Sequence, residues 1–179
     1  MPPLEHLTIT RLQRADERLC LALNAASRHV SVLHLFRVVS RLGNGIFWYA
    51  LMFVLLVRDA EQALFPVLHM VVVGAAGTAI YSALKRRTAR ARPFEVVPAV
   101  ALGAAPLDAF SFPSGHTLHA VAFTLVAASY YPALAGPLAA FTLLVAASRV
   151  VLGLHYPSDV LAGAALGACI AGASFWALT

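Results

Sequence analysis

Ala63 to Leu84 runs without a single Asp, Glu, Lys or Arg. In hydrocarbon every backbone N–H and C=O must be paired within the protein, so such a run can be housed only as a helix. About twenty apolar residues at 1.5 Å per residue cross a bilayer core of roughly 30 Å. Four further apolar stretches follow the same logic: Leu42–Val57 with Phe47, Trp48 and Tyr49, Thr117–Tyr131, Leu138–Leu152 and Val160–Leu178. The chain is 60% hydrophobic and 12% charged. A soluble domain has roughly 45–50% apolar and about 25% charged residues, so a soluble fold is excluded. The expected class is all-α, a multi-pass transmembrane bundle of five to six membrane helices preceded by an N-terminal amphipathic helix.

The N-terminal part reads differently. Met1 to Arg18 is polar and expected to be loose or interfacial, with no apolar core and small-residue site of a cleavable signal peptide. Leu19 to Ser40 mixes Leu21, Leu23, Val32, Leu33, Leu35, Phe36 and Val39 with Arg28, His29, His34 and Arg37, the pattern of one or two helices lying in the interface. A sixth, imperfect span is the alternative. The chain therefore divides into an interfacial segment, 1–41, and a membrane domain, 42–179. Cys20 and Cys169 lie in apolar stretches and read as small buried hydrophobes. Gly163 and Gly167, four apart among alanines, mark a face for close helix packing.

Net charge is +5. The cations cluster beside apolar segments with no aromatic–basic platform, which favours a bilayer surface or an anionic head group as partner over nucleic acid. The single lysine, Lys85, opens the first of three polar clusters, Lys85-Arg86-Arg87-Thr88-Ala89-Arg90-Ala91-Arg92-Pro93. Pro113-Ser114-Gly115-His116 is the second. Ser148-Arg149, with His155 and Asp159 beyond it, is the third. If Leu42–Val57 crosses first, alternation of the spans brings all three to one face.

Together these residues suit a phosphate ester. Arg92 and Arg149 offer planar forks and Lys85 a point charge. Ser114 and Gly115 precede an apolar run, so backbone N–H groups at a helix N-terminus would face the anion, and Gly115 lets the backbone come close. Histidine can act as nucleophile. Asp159, four residues after His155, can hold one ring nitrogen as N–H and leave the other free to attack. Pro157 is expected to open the last helix, with Asp159 in its first turn. His116 would then be the general acid. Arg86, Arg87 and Arg90 read as topology anchors, and His34 and His69 as boundary residues. His116 and His119, three apart, lack a third ligand at metal-site spacing.

The three clusters resemble the type 2 phosphatidic acid phosphatase superfamily, which includes membrane lipid phosphatases and vanadium haloperoxidases. Lys85, Arg92 and Pro93 fit its first motif. Pro113 to His116 fit its second, and Ser148, Arg149, His155 and Asp159 its third. The resemblance covers the chain from about Leu42. It implies metal-independent, cofactor-free hydrolysis of a lipid phosphomonoester or diphosphate, of the undecaprenyl diphosphate or phosphatidylglycerol phosphate class. It implies a phosphohistidine on His155 partnered by Asp159, with His116 as acid and Lys85, Arg92, Ser114, Gly115 and Arg149 as phosphate ligands. A lipid phosphotransferase using the same site with a non-water acceptor is the alternative, and a non-catalytic transporter or scaffold a third. The expected location is the bacterial inner membrane. On sidedness the cations on the catalytic face point to the cytoplasm by the positive-inside rule, whereas the resemblance points to the outer, periplasmic face, which is the expectation adopted.

Overall fold

The computed structural model describes residues 4–178, with side chains from Leu12 onward. The described residues form an all-α bundle. In chain order the helices are α1 (Leu4–Asn24), α2 (Val30–Arg41), α3 (Phe47–Arg58), α4 (Ala60–Thr88), the short α5 (Pro93–Val96), α6 (Gly115–Tyr130), α7 (Ala135–Val151) and α8 (Pro157–Trp176). Four segments are long and apolar enough to cross a membrane: Val30–Arg58, Ala60–Val96, Pro132–Val151 and Pro157–Trp176. At 16 residues α6 is shorter. It is the central helix, with Leu118, Ala120, Ala122, Val126 and Ala127 fully buried. Around it, large apolar side chains such as Phe53, Val72, Leu143 and Leu161 point outward, as a lipid solvent allows.

Local chemistry sets the boundaries. Asp59 starts α4 by accepting from Gln62 N at 3.2 Å. The helix then runs four residues past Leu84, so Lys85 stands in its last turn rather than in a loop. It stops at Ala89, whose left-handed backbone (φ 45°, ψ 34°) lets its N–H return to Lys85 O. Pro157 opens α8, and Asp159 reaches back to accept from Tyr156 N at 2.8 Å. Between α2 and α3 the backbone departs from helical geometry at Asn44 and at Gly45 (φ 106°). The expected interfacial segment and first span are therefore joined end to end across a kink.

Two packing features position the functional end. A Cβ on Gly163 would lie 2.4 Å from Ser114 O, and one on Gly167 2.4 Å from Leu118 O. The two glycines let α8 sit against the backbone of α6, as the small-residue spacing suggests. The second feature is Asn24. Its side chain donates to Ala101 O (2.9 Å) and Val151 O (2.8 Å) and accepts from Ala101 N (2.8 Å). It joins α1, the 97–114 loop and the end of α7. The part of α1 up to Arg18, expected to be loose or interfacial, is helical from Leu4, and Asp16 within it accepts from Ser158 N at 2.9 Å. Cys20 is buried, but Cys169 is exposed on α8, contrary to its reading as a buried residue.

Candidate active site

Lys85, Arg92, Gly115, His116, Arg149 and His155 line one cavity of about 550 Å³. Ser114 and Asp159 are fully buried immediately behind it. The two are tied by a bond from Ser114 N to Asp159 O at 3.0 Å, which links the start of α6 to the start of α8. All eight sequence-predicted residues are therefore gathered at one end of the bundle. They come from the last turn of α4, the extended link after it, the first turn of α6, the last turn of α7 and the link into α8. The cavity continues along Trp48, Met52 and Val71 between α3 and α4 as an apolar groove.

His155 is buried in the link between α7 and α8. Its Nε2 lies 3.4 Å from Arg92 Nη1. Its Nδ1 lies 3.7 Å from Asp159 Oδ2. That is too long for a hydrogen bond, so the expected N–H clamp is not closed here. Asp159 Oδ1 accepts from Arg90 at 2.6 Å and Oδ2 from Tyr156 N at 2.8 Å. Burial, and then the positive charges of Arg149, Arg92 and Lys85, hold the imidazole well below its ordinary pKa. His155 is therefore neutral at physiological pH, with its Nε2 lone pair facing Arg92 Nη1.

Arg149 is buried and donates from Nη1 to Ser40 Oγ. Its Nε is buried with no hydrogen-bond partner among the described residues. A buried donor left unpaired is costly, and an anion in the cavity would satisfy it. Lys85 Nζ and Arg92 Nη2 share the carboxylate of Asp108, at 2.7–2.8 Å and 2.7 Å. Burial alone would raise the Asp108 carboxyl, but the hydrogen bonds and charges of Lys85 and Arg92 outweigh it and hold it below its ordinary value. Asp108 lines the cavity too. A carboxylate thus sits across two of the cations that would take a phosphate.

Three contributors escape a reading of the motifs. Arg90, expected to be a topology anchor, instead bridges Asp159, Ser158 Oγ (2.8 Å) and Asp16 (2.7 Å) and stacks on the Tyr156 ring at 4.0 Å. Asp16, from the segment expected to be loose, completes that bridge. Asp108 comes from the middle of the 97–114 loop. Only Arg90 carries a local signal, its spacing of two from Arg92 in an extended link. Arg86 and Arg87 remain exposed, as anchors should. His69 is not a boundary residue. It is buried between α4, α6 and α8, bonded to Tyr130 Oη (2.9 Å) and Ser174 Oγ (2.7 Å). His119 has Nδ1 3.1 Å from Gly115 O and Nε2 3.1 Å from Gly74 O, and the single N–H of a neutral ring donates to one of the two. Among the described residues no group of three His, Cys, Asp or Glu could hold a metal ion.

This bundle defines a membrane protein with a cation-lined cavity at one end. Residues 66–179 match the PAP2 superfamily model, and the chain belongs to that superfamily. It is 38% identical over 89 residues to a lipid A 1-phosphatase of Rhizobium johnstonii, a match covering 48% of this chain and 36% of the relative. It is 39% identical over 97 residues to a decaprenylphosphoryl-5-phosphoribose phosphatase of Mycobacterium tuberculosis, covering 51% and 50%. The matched part thus spans half or less of each of these relatives. Two solved structures share the fold: the PAP2-type phosphatidylglycerolphosphate phosphatase of Bacillus subtilis and Aquifex aeolicus LpxE. The first has a TM-score of 0.76 and 25% identity, covering 92% of this chain and 85% of that one. The second has a TM-score of 0.77 and 26% identity, covering 88% and 93%.

Proposed function

We propose that the chain is a membrane lipid phosphatase that removes a terminal phosphate from a lipid phosphomonoester or diphosphate, without a metal, through a phosphohistidine on His155. The observation that carries this reading is the meeting of Lys85, Arg92 and Arg149 with His116 and His155 in a cavity that runs on into an apolar groove. The groove suits a lipid chain and the polar end suits its phosphate.

The residues divide the work as follows. Lys85, Arg92, Arg149 and the backbone at Ser114–Gly115 hold the phosphoryl oxygens, charge stabilisation that a metal would otherwise supply. Nε2 of neutral His155 attacks phosphorus. The bond from phosphorus to the leaving oxygen breaks, and His116 gives that oxygen its proton; burial and the charge of Arg149 push this imidazole down to about 2, so it carries that proton only with the negative charge of the phosphate beside it. Asp159, held by Arg90, supports the imidazolium side of the phosphohistidine. A water then attacks phosphorus as His116 takes its proton, the P–N bond breaks, and phosphate leaves. The substrate belongs to the undecaprenyl diphosphate or phosphatidylglycerol phosphate class, in keeping with the relatives, which are named for lipid and polyprenyl phosphates. We place the protein in the inner membrane with the site on its outer side. Lys85, Arg90, Arg92 and Arg149 are engaged within the site, which removes much of the charge excess that pointed inward.

The test is phosphate release from a panel of lipid phosphates and diphosphates in detergent with chelator present. The purified protein should release phosphate with no added acceptor. His155→Ala should abolish turnover and His116→Ala should lower it by about 10²–10⁴-fold. Near-normal turnover by His155→Ala rules out the phosphohistidine route. Transfer to an alcohol acceptor with no release to water would indicate the phosphotransferase instead.

A further inference from the structure

Three buried polar residues share one stripe of α1: Asp16, Cys20 and Asn24, spaced i, i+4 and i+8. Each meets a different point of the 151–159 stretch that carries His155. Asn24 Nδ2 donates to Val151 O at 2.8 Å. Cys20 Sγ lies 4.0 Å from His155 O. Asp16 Oδ1 accepts from Ser158 N at 2.9 Å, and its Oδ2 accepts from Ser158 Oγ. Helix α1 therefore braces this stretch before, at and after the histidine. It lies wholly outside residues 66–179, the part that the family model matches.

A buried aspartate against a helix start is most often a cap. Ser158 N is one of the N–H groups that the first turn of α8 leaves unpaired, and a carboxylate suits that end of a helix. The cap accounts for the bond to Ser158 N. It does not call for the bond that the other oxygen makes to Arg90. The guanidinium of Arg90 is divided between two acids, Nη2 donating to Asp16 Oδ2 at 2.7 Å and Nη1 to Asp159 Oδ1 at 2.6 Å. A planar fork held at both prongs is fixed in orientation. Both acids are buried, so little water competes for the fork. Without Asp16 one prong is released, and Arg90 can turn away from Asp159.

We infer that Asp16 is a positioning residue for the reaction: it fixes the Arg90 fork, and through that fork the carboxylate of Asp159 beside His155. The inference rests on the phosphatase reading and adds to it a residue from outside the family-matched part. Neither Asp16 nor Arg90 lines the cavity, so the effect of Asp16 falls on kcat and not on substrate binding. Helix α1 is then part of the catalytic apparatus as well as an N-terminal anchor.

The experiment separates the cap from the fork. Asp16→Asn keeps an oxygen for Ser158 N but loses the charge that holds Arg90. Turnover of the lipid phosphate panel is measured in detergent, well below each variant's thermal midpoint. Asp16→Asn should lower kcat by about tenfold or more, the cost of a small misplacement, with KM within about twofold and the midpoint close to that of wild type. In an Arg90→Ala background it should cost nothing further, because both changes break the same path. The double variant holds one buried unpaired carboxylate fewer than Arg90→Ala, so it should be at least as stable. That keeps the comparison available if Asp16→Asn alone folds poorly. Asn24→Ala is the comparison on the same stripe. It removes hydrogen bonds that do not involve Arg90, and its effect on kcat should multiply with that of Arg90→Ala. Wild-type kcat in Asp16→Asn would overturn the inference, as would a rise in KM at constant kcat. So would losses from Asp16→Asn and Arg90→Ala that multiply in the double variant, which would leave Asp16 as a cap alone. If wild type releases no phosphate from any lipid of the panel, the phosphatase reading falls and the inference falls with it.

Discussion

On the proposed route the imidazole that attacks phosphorus has to be neutral, and burial, together with the charges of Arg149, Arg92 and Lys85, favours that form of His155. The same shift has a consequence for stability. The unfolded chain binds a proton on this histidine as pH falls through about 6.5, whereas the folded pKa lies well below that value. Below pH 6.5 the unfolded state therefore holds more protons, and stability contributed above that pH is lost as acid is added. Thermal midpoints in detergent should fall from pH 7 to pH 5 in wild type, and by less in a His155→Gln variant. Equal falls would show that other groups govern the acid side. Arg90 carries a second prediction. It holds Asp159 Oδ1 at 2.6 Å but does not line the cavity, so on the proposed route it would position Asp159 without touching substrate. Arg90→Ala should lower kcat by about 10²-fold, the cost of a small misplacement, with KM little changed, and Arg90→Lys should recover part of it. A rise in KM at constant kcat would mean that Arg90 binds substrate instead. The motif residues are legible in the sequence because phosphate chemistry needs particular groups at fixed spacing. Arg90, Asp16 and Asp108 are not, because their pairings join residues 74, 69 or 23 positions apart and leave no local pattern.

Helices act here as positioning devices, and the contact of α8 with α6 is the tightest of them. A methyl group on Gly163 would meet Ser114 O at 2.4 Å, a backbone atom that cannot rotate away. Gly163→Ala should push the α6 N-terminus, and with it Ser114, Gly115 and His116, off the anion. We expect both a lower thermal midpoint and a loss of turnover of tenfold or more. The control is Gly172→Ala on the same helix, where the added methyl meets nothing within 4 Å. It should leave turnover unchanged and gain slightly from alanine's helix propensity. Unchanged activity in Gly163→Ala would mean that α8 can move without disturbing the site. The spacing of the two glycines reveals a packing face in sequence, and proline and aspartate reveal where α8 begins. The extension of α4 to Thr88 is hidden, because it depends on Ala89 accepting a left-handed backbone that a β-branched residue would resist. The joining of α2 to α3 is hidden for a similar reason, since the kink at Asn44–Gly45 looks like a break in the pattern.

Taken whole, the molecule separates chemistry from cohesion along the length of the bundle. The polar site occupies the end where α4, α7 and the start of α8 meet. Sixteen residues earlier on α4, about 24 Å away at 1.5 Å per residue, His69 joins α4 to α6 through Tyr130 and to α8 through Ser174. Its ring also packs edge-on against Phe175, with centroids 4.9 Å apart. Sequence alone gives no reason to bury this histidine, since a polar residue in an apolar run is ambiguous until its partners, 61 and 105 positions away, are brought to it. In hydrocarbon such bonds have no water to replace them, and interhelical hydrogen bonds contribute about 0.6–2 kcal/mol each. His69→Ala removes two and leaves the Tyr130 hydroxyl without this partner. The expected result is a thermal midpoint several degrees lower, with kcat and KM for phosphate release within about twofold of wild type at temperatures where the variant is folded. His69→Asn, which can keep only one of the two bonds, should fall between. A loss of kcat parallel to the loss of midpoint would show that the far end of α4 is coupled to the site, and that cohesion and catalysis are not separate in this bundle.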